Sequence, residues 1–384
     1  MKIVVFGLSV TSTWGNGHGT TYRALLRALH ERGHAITFFE KDVEWYASNR
    51  DLPEPGFCDV KLYVEWQEIL PAVRRELQSA DVAMVGSYFP DAVAALDEIA
   101  EADTPVKAFY DIDTPITVAA LREHGRADYL SLNQIPLLDL YFSFTGGPLL
   151  TEIERDFGAA RAVPLYCSFD PQQYRRFPRN PKLASDLSYM GTYASDRQPK
   201  LQELLLEPAL HLPQKHFIVA GPQYPATVEW PANVRHIPHL SPVWHAEFYS
   251  SSRLTLNITR RDMAMAGYSP SVRLFEAAAC GAAIISDNWP GLDSFFRPGA
   301  EILLPASAHD VEHYLTDLTD EEIRSIGDSA QARVLAEHTS AQRALQFERE
   351  VEAQLSRISR ITRLSGRTSV GVGAEPDAVP NCQS

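Results

Sequence analysis

Arg273 and Glu276 stand three residues apart in the run "GYSPSVRLFEAAACGAAIISD". That spacing puts both on neighbouring parts of one helix face. A guanidinium there can take a phosphate through two parallel hydrogen bonds. A carboxylate one turn further on can take two adjacent hydroxyls, such as those of a ribose. Ser269 fits the N-cap of this helix and Pro270 its first position, with Ser271 beside them. Such a helix end offers free N–H groups and a positive dipole end to an anion. An ordinary helix whose arginine and glutamate pair with each other explains the same residues.

Other stretches carry chemistry of matching kinds. In "MGTYASDRQPKL", Gly191 follows a strand, where a missing side chain permits close backbone approach to a ligand. Arg197 and Lys200 open the next helix. There they either meet the charge of a departing diphosphate or form a solvated helix start. Arg260, in "NITRRDM", follows a strand within reach of the same phosphates. His239 and Leu240 sit in a strand-end loop, "HIPHLSP", where a histidine is also a plain surface residue.

The first half has its own candidates. "WGNGHGTTYRALLRAL" is a glycine-rich loop running into an amphipathic helix. Gly17 and Gly19 let backbone come close to a ligand. His18 projects from the loop as a base for an acceptor hydroxyl, or hydrogen-bonds within the loop. Asp111 and Asp113 form a DxD in "YDIDTP", read as a strand-end loop at the cleft rim with Asp111 on the acceptor side. Asp113 can bind acceptor hydroxyls, orient His18, act as base itself, or cap the helix before Pro115. Gly146 and Gly147, in "FTGGPLL", make a close-approach turn that lines a cleft or packs a helix tightly on a strand. A dinucleotide fingerprint is the lesser reading of the opening loop. Glu40 lies at the right distance for a ribose, but Thr20 stands where a third small residue belongs. "SVTSTW" also makes the turn too long.

The run "RLFEAAACGAAIISD", with "PGAEI" after it, resembles the donor-binding core of GT-B glycosyltransferases. "WGNGHGTTYRALLRAL", "FFEKDVEWYASNRDL", "YDIDTP" and "FTGGPLL" resemble more narrowly the CgeB-like family, over roughly residues 1 to 350. The resemblance implies that Glu276 binds ribose, that an Arg197/Lys200 pair faces the diphosphate, and that the nucleobase lies against backbone near His239 and Leu240. It also turns the Gly17–His18 loop toward an interdomain cleft and calls for no bound metal or other cofactor. Many retaining members carry a second glutamate where this chain has Tyr268. Retention and inversion are therefore both open.

These residues need a scaffold, and the apolar pattern describes one. Short apolar runs alternate with helical patterns, as in parallel α/β folding. "KIVVFGL", "AITFF", "DVAMVG", "VKAFY", "LYFSF" and "AVPLY" are strands of one series; "DLSYMG", "HFIVAG", "VRHIP", "RLTLN", "AAIIS" and "EILL" form a second. The expected fold is α/β of GT-B type: two Rossmann-like domains with parallel sheets facing a cleft. Residues 1–166 form the acceptor-side domain, 167–182 a proline-rich linker, and 183–338 the donor domain. Residues 339–364 form a helix packing back on the first domain, and 365–384 a disordered tail. The segment from Lys41 to Ala80 shows no clear pattern.

At 384 residues, 45% hydrophobic, the chain is long enough for two cores. Its formal charge of -14 argues against a general nucleic-acid partner. Its four cysteines fit no zinc spacing, and no stretch reads as a membrane span, so a cytoplasmic, soluble protein is expected. The expected activity is metal-independent transfer of a sugar from a nucleoside diphosphate sugar, UDP or dTDP above others. The acceptor is a small molecule or a protein. A nucleotide-sugar 2-epimerase of the same architecture, or a non-catalytic nucleotide- or sugar-binding protein, is the alternative.

Overall fold

The structure is a computed structural model describing residues 1–14 and 17–368, with side chains described to residue 360. Two parallel sheets form its halves. The first has seven strands: β1 (Lys2–Phe6), β2 (Ala35–Lys41), β3 (Asp59–Tyr63), β4 (Val82–Gly86), β5 (Val106–Asp111), β6 (Leu140–Ser143) and β7 (Ala162–Pro164). Their order is β3-β2-β1-β4-β5-β6-β7. The second has five: β8 (Ser185–Met190), β9 (Phe217–Ala220), β10 (Val234–Ile237), β11 (Ser252–Asn257) and β12 (Ala283–Ser286). Their order is β10-β9-β8-β11-β12. The expected "EILL" strand is absent as such; Leu303 makes only an isolated bridge to Ile285.

Helices cover both faces of each sheet, which is why the strands read as unbroken apolar runs. Along β1, Val4 and Phe6 enter one core while Ile3 and Val5 enter the opposite one. Along β9, Ile218 and Ala220 face one side and Phe217 and Val219 the other. In both sheets the strand order reverses beside the first strand. The crevice beyond the strand ends at such a reversal is where α/β folds hold ligands. In the first half it lies past β1 and β4, and in the second past β8 and β11.

Helix α1 (Gly17–Glu31) follows β1, and Gly33, at φ +88°, turns the chain out of it. Helix α2 (Thr114–His124) follows β5, and α3 (Val272–Ala279) precedes β12. The last two helices are α4 (Asp320–Glu337) and α5 (Ser340–Thr368). Helix α5 leaves the second half and lies on the first. Ala344, Phe347 and Val351 join the core that holds α1, and Glu348 takes ion pairs from Arg32 and His34. The helix runs through Thr368, past residue 365 where the tail was expected to start; residues 369–384, with Cys382, lie outside the described residues, as does Gly15 of the opening loop.

The segment 167–182 is not a loose tether. Cys167, Phe169 and Tyr174 are buried in the second half's core, and Asp170 pairs with Arg27 of α1.

Candidate functional site

A cleft of about 470 Å³ opens between the halves. Its wall in the second half is built by Gly191 after β8, Gly221 after β9, the 239–242 loop and the start of α3. Thr13, Trp14, Gly17 and Thr20 face it from the first half.

Helix α3 starts two residues later than expected. Ser271, not Ser269, is its N-cap, and the Ser271 hydroxyl accepts from the Arg273 N–H at 3.3 Å. Ser269 is buried instead in the contact between halves, its hydroxyl 2.9 Å from that of Thr145. That polar contact removes it from the helix end.

Arg273 lines the cleft one residue past the first turn's start, and a terminal nitrogen donates to the Ile258 carbonyl at 3.3 Å. Arg197 is only 8% exposed and donates to the Thr192 carbonyl at 2.6 Å. Both Nε groups are buried without a partner. Among the described residues neither arginine forms an ion pair. Burial, and then the neighbouring Arg273 charge, lower the Arg197 pKa. Two adjacent, unmatched guanidinium groups are costly to bury and form a site for an anion. Lys200 is not with them: it is exposed, 3.4 Å from Glu203, and does not line the cleft.

Glu276 sits one turn deeper in α3, buried yet lining the cleft. Burial pushes its carboxyl up to about 7, against the pull of the Tyr174 hydroxyl and the Arg273 charge. The Tyr174 hydroxyl also lies 3.4 Å from His245 Nδ1, and His245 Nε2 lies 3.1 Å from the Leu240 carbonyl. Burial takes His245 down to about 4, so the ring is neutral and donates from Nε2. His239, Leu240 and Glu276 thus share one wall, joined through Tyr174 and His245. The sequence reading missed these two, because the link crosses from the linker segment to another helix.

Gly191 lies where β8 meets the cleft, and a Cβ there would fall 2.7 Å from the Tyr189 hydroxyl. Gly17 faces open space: an added Cβ meets nothing within 4 Å. Gly19 is a packing glycine, since a Cβ there would fall 2.5 Å from the Ser12 carbonyl oxygen.

His18 belongs to the first turn of α1 and not to the loop before it. Burial lowers its pKa to about 4, and its ring stands edge-on to Tyr88 at 5.3 Å. Tyr88, after β4, holds φ +62°, a conformation unusual for a bulky residue. Asp113 is raised by burial and lowered by the Arg260 charge and the Tyr88 hydroxyl. His18, Tyr88, Asp113 and Arg260 therefore gather at the ends of β4 and β5. Arg260, expected at the phosphates, is near enough from the second half for its charge to act on Asp113 and Tyr88. Only the unusual backbone marks Tyr88, and that is invisible in sequence.

Asp111 is not an acceptor group at the rim. It is fully buried, accepting from Tyr141 Oη at 2.5 Å, Thr117 Oγ1 at 2.8 Å and the Asp113 N–H at 3.3 Å. Burial takes its carboxyl up to about 7. Gly146 and Gly147 do not line the cleft either. A Cβ on Gly146 would strike the Tyr166 hydroxyl at 2.0 Å, and one on Gly147 the Tyr268 ring at 2.3 Å. They make room for aromatic rings. Glu40 has no capacity left for a ribose. It accepts from Ser9 Oγ at 2.9 Å, the Val10 N–H at 2.6 Å, the Thr11 N–H at 3.0 Å and Thr11 Oγ1 at 2.5 Å. That use overturns its place in a dinucleotide site.

Residues 197–349 match the model of the "Glycosyl transferase-like" family. Sucrose-phosphate synthase from Thermosynechococcus elongatus superposes with a TM-score of 0.66 at 12% identity, over 93% of this chain and 100% of that one. Anabaena Alr3699/HepE, solved with UDP and glucose, gives 0.63 at 14%, over 92% and 100%. The E. coli trehalose-6-phosphate protein bound with UDP-2-fluoro glucose gives 0.63 at 13%, over 91% and 99%. No curated protein matches the chain in sequence. By fold the chain is of GT-B type, and residues 197–349 carry its similarity to the glycosyl transferase-like family. The cleft lies between the two halves; Arg273 lines it from the second, with the Arg197 charge beside it. No helix among the described residues is long and apolar enough to cross a membrane.

Proposed function

We propose that the protein transfers a sugar from a nucleoside diphosphate sugar, with UDP or dTDP as carrier, to a small-molecule or protein acceptor. The observation that carries this is the buried pair Arg197 and Arg273, whose Nε groups have no partner. A diphosphate supplies the missing negative charge and acceptor oxygens. Glu276, one turn along, takes the ribose hydroxyls, and the 239–240 loop takes the base. The solved GT-B proteins carrying UDP or a UDP sugar support the same donor class.

As the glycosidic bond to the diphosphate breaks, negative charge grows on the leaving oxygen. The two guanidinium groups and the N-terminus of α3 are already oriented to receive it. In this reading the chain's own positive groups do what a metal ion does elsewhere. The acceptor hydroxyl enters from the side of His18 and Asp113, where burial raises Asp113 toward a stronger base and the Arg260 charge offsets part of that rise. The CgeB-like grouping rests on the quoted motifs, and the cytoplasmic setting on the free thiols of Cys58, Cys167 and Cys280.

A thermal-shift series with UDP, dTDP, GDP and NAD tests the donor class. A rise in melting temperature with one nucleoside diphosphate and none with NAD is expected. A rise with NAD alone, or with none of the four, overturns the proposal.

A further inference from the structure

Trp14 and His239 face each other across the cleft with ring centroids 4.6 Å apart and planes tilted by 42°. Trp14 belongs to the first half and His239 to the second, and both line the cavity. Trp14 remains 41% exposed, so the contact covers only part of the indole. Large aromatics left half-open inside a cavity are suited to stacking on a flat ligand.

The arm carrying Trp14 is held firmly. The Thr13 N–H and hydroxyl donate to Asp51 at 3.0 and 2.8 Å. The Leu52 N–H donates to the Thr11 carbonyl at 3.0 Å, and Glu40 fixes the residues just before. Arg23 of α1 locks Asp51 in turn through two bonds of 2.7 Å. The backbone that carries the indole is thus fixed by the first half. On the opposite wall, His239 is followed by Leu240, whose carbonyl is anchored by His245. Both rings are presented by fixed backbone.

We infer that Trp14 caps the donor's nucleobase from the acceptor-side domain, stacking on the heterocycle that lies against the 239–240 loop. The inference rests on the donor reading above and adds a base contact from the opposite half. It makes donor affinity depend on the first domain. Stacking of a base on an aromatic ring strengthens binding by about five- to a hundredfold.

The test uses the full chain, wild type and the variants Trp14→Ala and Trp14→Phe, titrated with UDP, dTDP and GDP by calorimetry and by tryptophan fluorescence. Trp14→Ala is expected to weaken the preferred nucleotide about tenfold or more, and Trp14→Phe by less than about threefold. The nucleotide-induced change in emission is expected to shrink in Trp14→Phe although binding persists. Thermal melting without ligand checks that both variants fold. Wild-type binding with Trp14→Ala equally tight overturns the capping role alone. Failure of the wild type to bind any of the three nucleotides overturns the donor reading and the capping role together.

Discussion

The ring of Tyr268, in the second half, lies directly over the α-carbon of Gly147 in the first. A Cβ on Gly147 would come within 2.3 Å of that ring, and one on Gly291 within 2.4 Å of its other edge. The Gly146 N–H donates to the Tyr268 carbonyl at 2.9 Å. Tyr268 itself holds φ +48°, so the surrounding structure maintains a strained backbone there. Tyr268 thus registers one half against the other. Tyr268→Ala should therefore lower the melting temperature, at a cost of about 2 kcal/mol in chemical denaturation. Nucleotide affinity should stay within about threefold of wild type. Gly147→Ala should cost more, because φ +65° adds backbone strain to the collision.

The unmatched arginines predict opposite signs for stability and binding. Replacing Arg197 by Met removes a buried charge without an ion-pair partner, which relieves a desolvation cost. The ligand-free variant should melt no lower than wild type, while its affinity for the preferred nucleoside diphosphate falls by about ten- to a hundredfold. Calorimetry and a melting curve on the same preparation read both effects. A large loss of stability with unchanged affinity would mean that the guanidinium is structural.

Glu276 predicts a pH dependence with a definite sign. Its carboxyl ordinarily titrates at 4.5 and in the fold at about 7. Between those values the folded state holds a proton that the unfolded chain has lost. The contribution to stability is therefore full below about pH 4.5 and falls away as pH rises through 7, by on the order of 3 kcal/mol. Glu276→Gln cannot ionise. The stability difference, variant minus wild type, should rise from pH 5 to pH 8 in urea unfolding. Donor affinity should fall severely in Glu276→Ala, which offers no acceptor to a ribose.

Much of this architecture could be read from residue pattern alone, and the exceptions have physical causes. Runs such as Lys2–Phe6 and Val82–Gly86 announce strands because both their faces are covered. The stretch from Lys41 to Ala80 hid three elements, the first a single-turn helix at Glu44–Ala47. Edge strand Asp59–Tyr63 exposes or half-exposes most of its side chains, and helix Trp66–Gln78 contains Pro71. Arg273 and Glu276 were legible because three residues on a helix place them together. Tyr174 and His245 join them only through the fold. Gly146 and Gly147 looked like a ligand turn, since the rings that need their space lie in other segments. Ser269 read as a helix cap because nothing local shows that Thr145 claims its hydroxyl.

The arm before α1 should be sensitive to Glu40, whose four hydrogen bonds hold Ser9, Val10 and Thr11. Glu40→Ala leaves two buried N–H groups without an acceptor, at a cost of about 2–5 kcal/mol in urea unfolding. Glu40→Gln retains one acceptor oxygen and should lose roughly half as much.

In the proposed transfer Asp113 and His18 are the two candidate bases, and their surroundings set them apart. His18 is held neutral to about pH 4 by burial, which makes it a weak proton acceptor even though it is free of charge. Asp113 is pushed upward by burial, toward the strength a base needs, while the Arg260 charge and the Tyr88 hydroxyl keep its ionised form accessible. Asp113→Asn should therefore lower kcat for sugar transfer, or for donor hydrolysis when no acceptor is present, by about 10²–10⁴. Donor affinity should be unchanged, because Asp113 lies away from the arginine pair. His18→Phe keeps an aromatic edge against Tyr88 and should reduce kcat by less than tenfold, on the order of a lost packing contact. If the two variants instead lose activity equally, with the acid limb of the wild-type pH–rate profile falling near 4, the proton passes to His18. Arg260→Ala separates the cases further. Without that charge the Asp113 carboxyl rises, so the acid limb should move to higher pH, whereas a profile governed by His18 should hold its position or move slightly upward only through the lost repulsion.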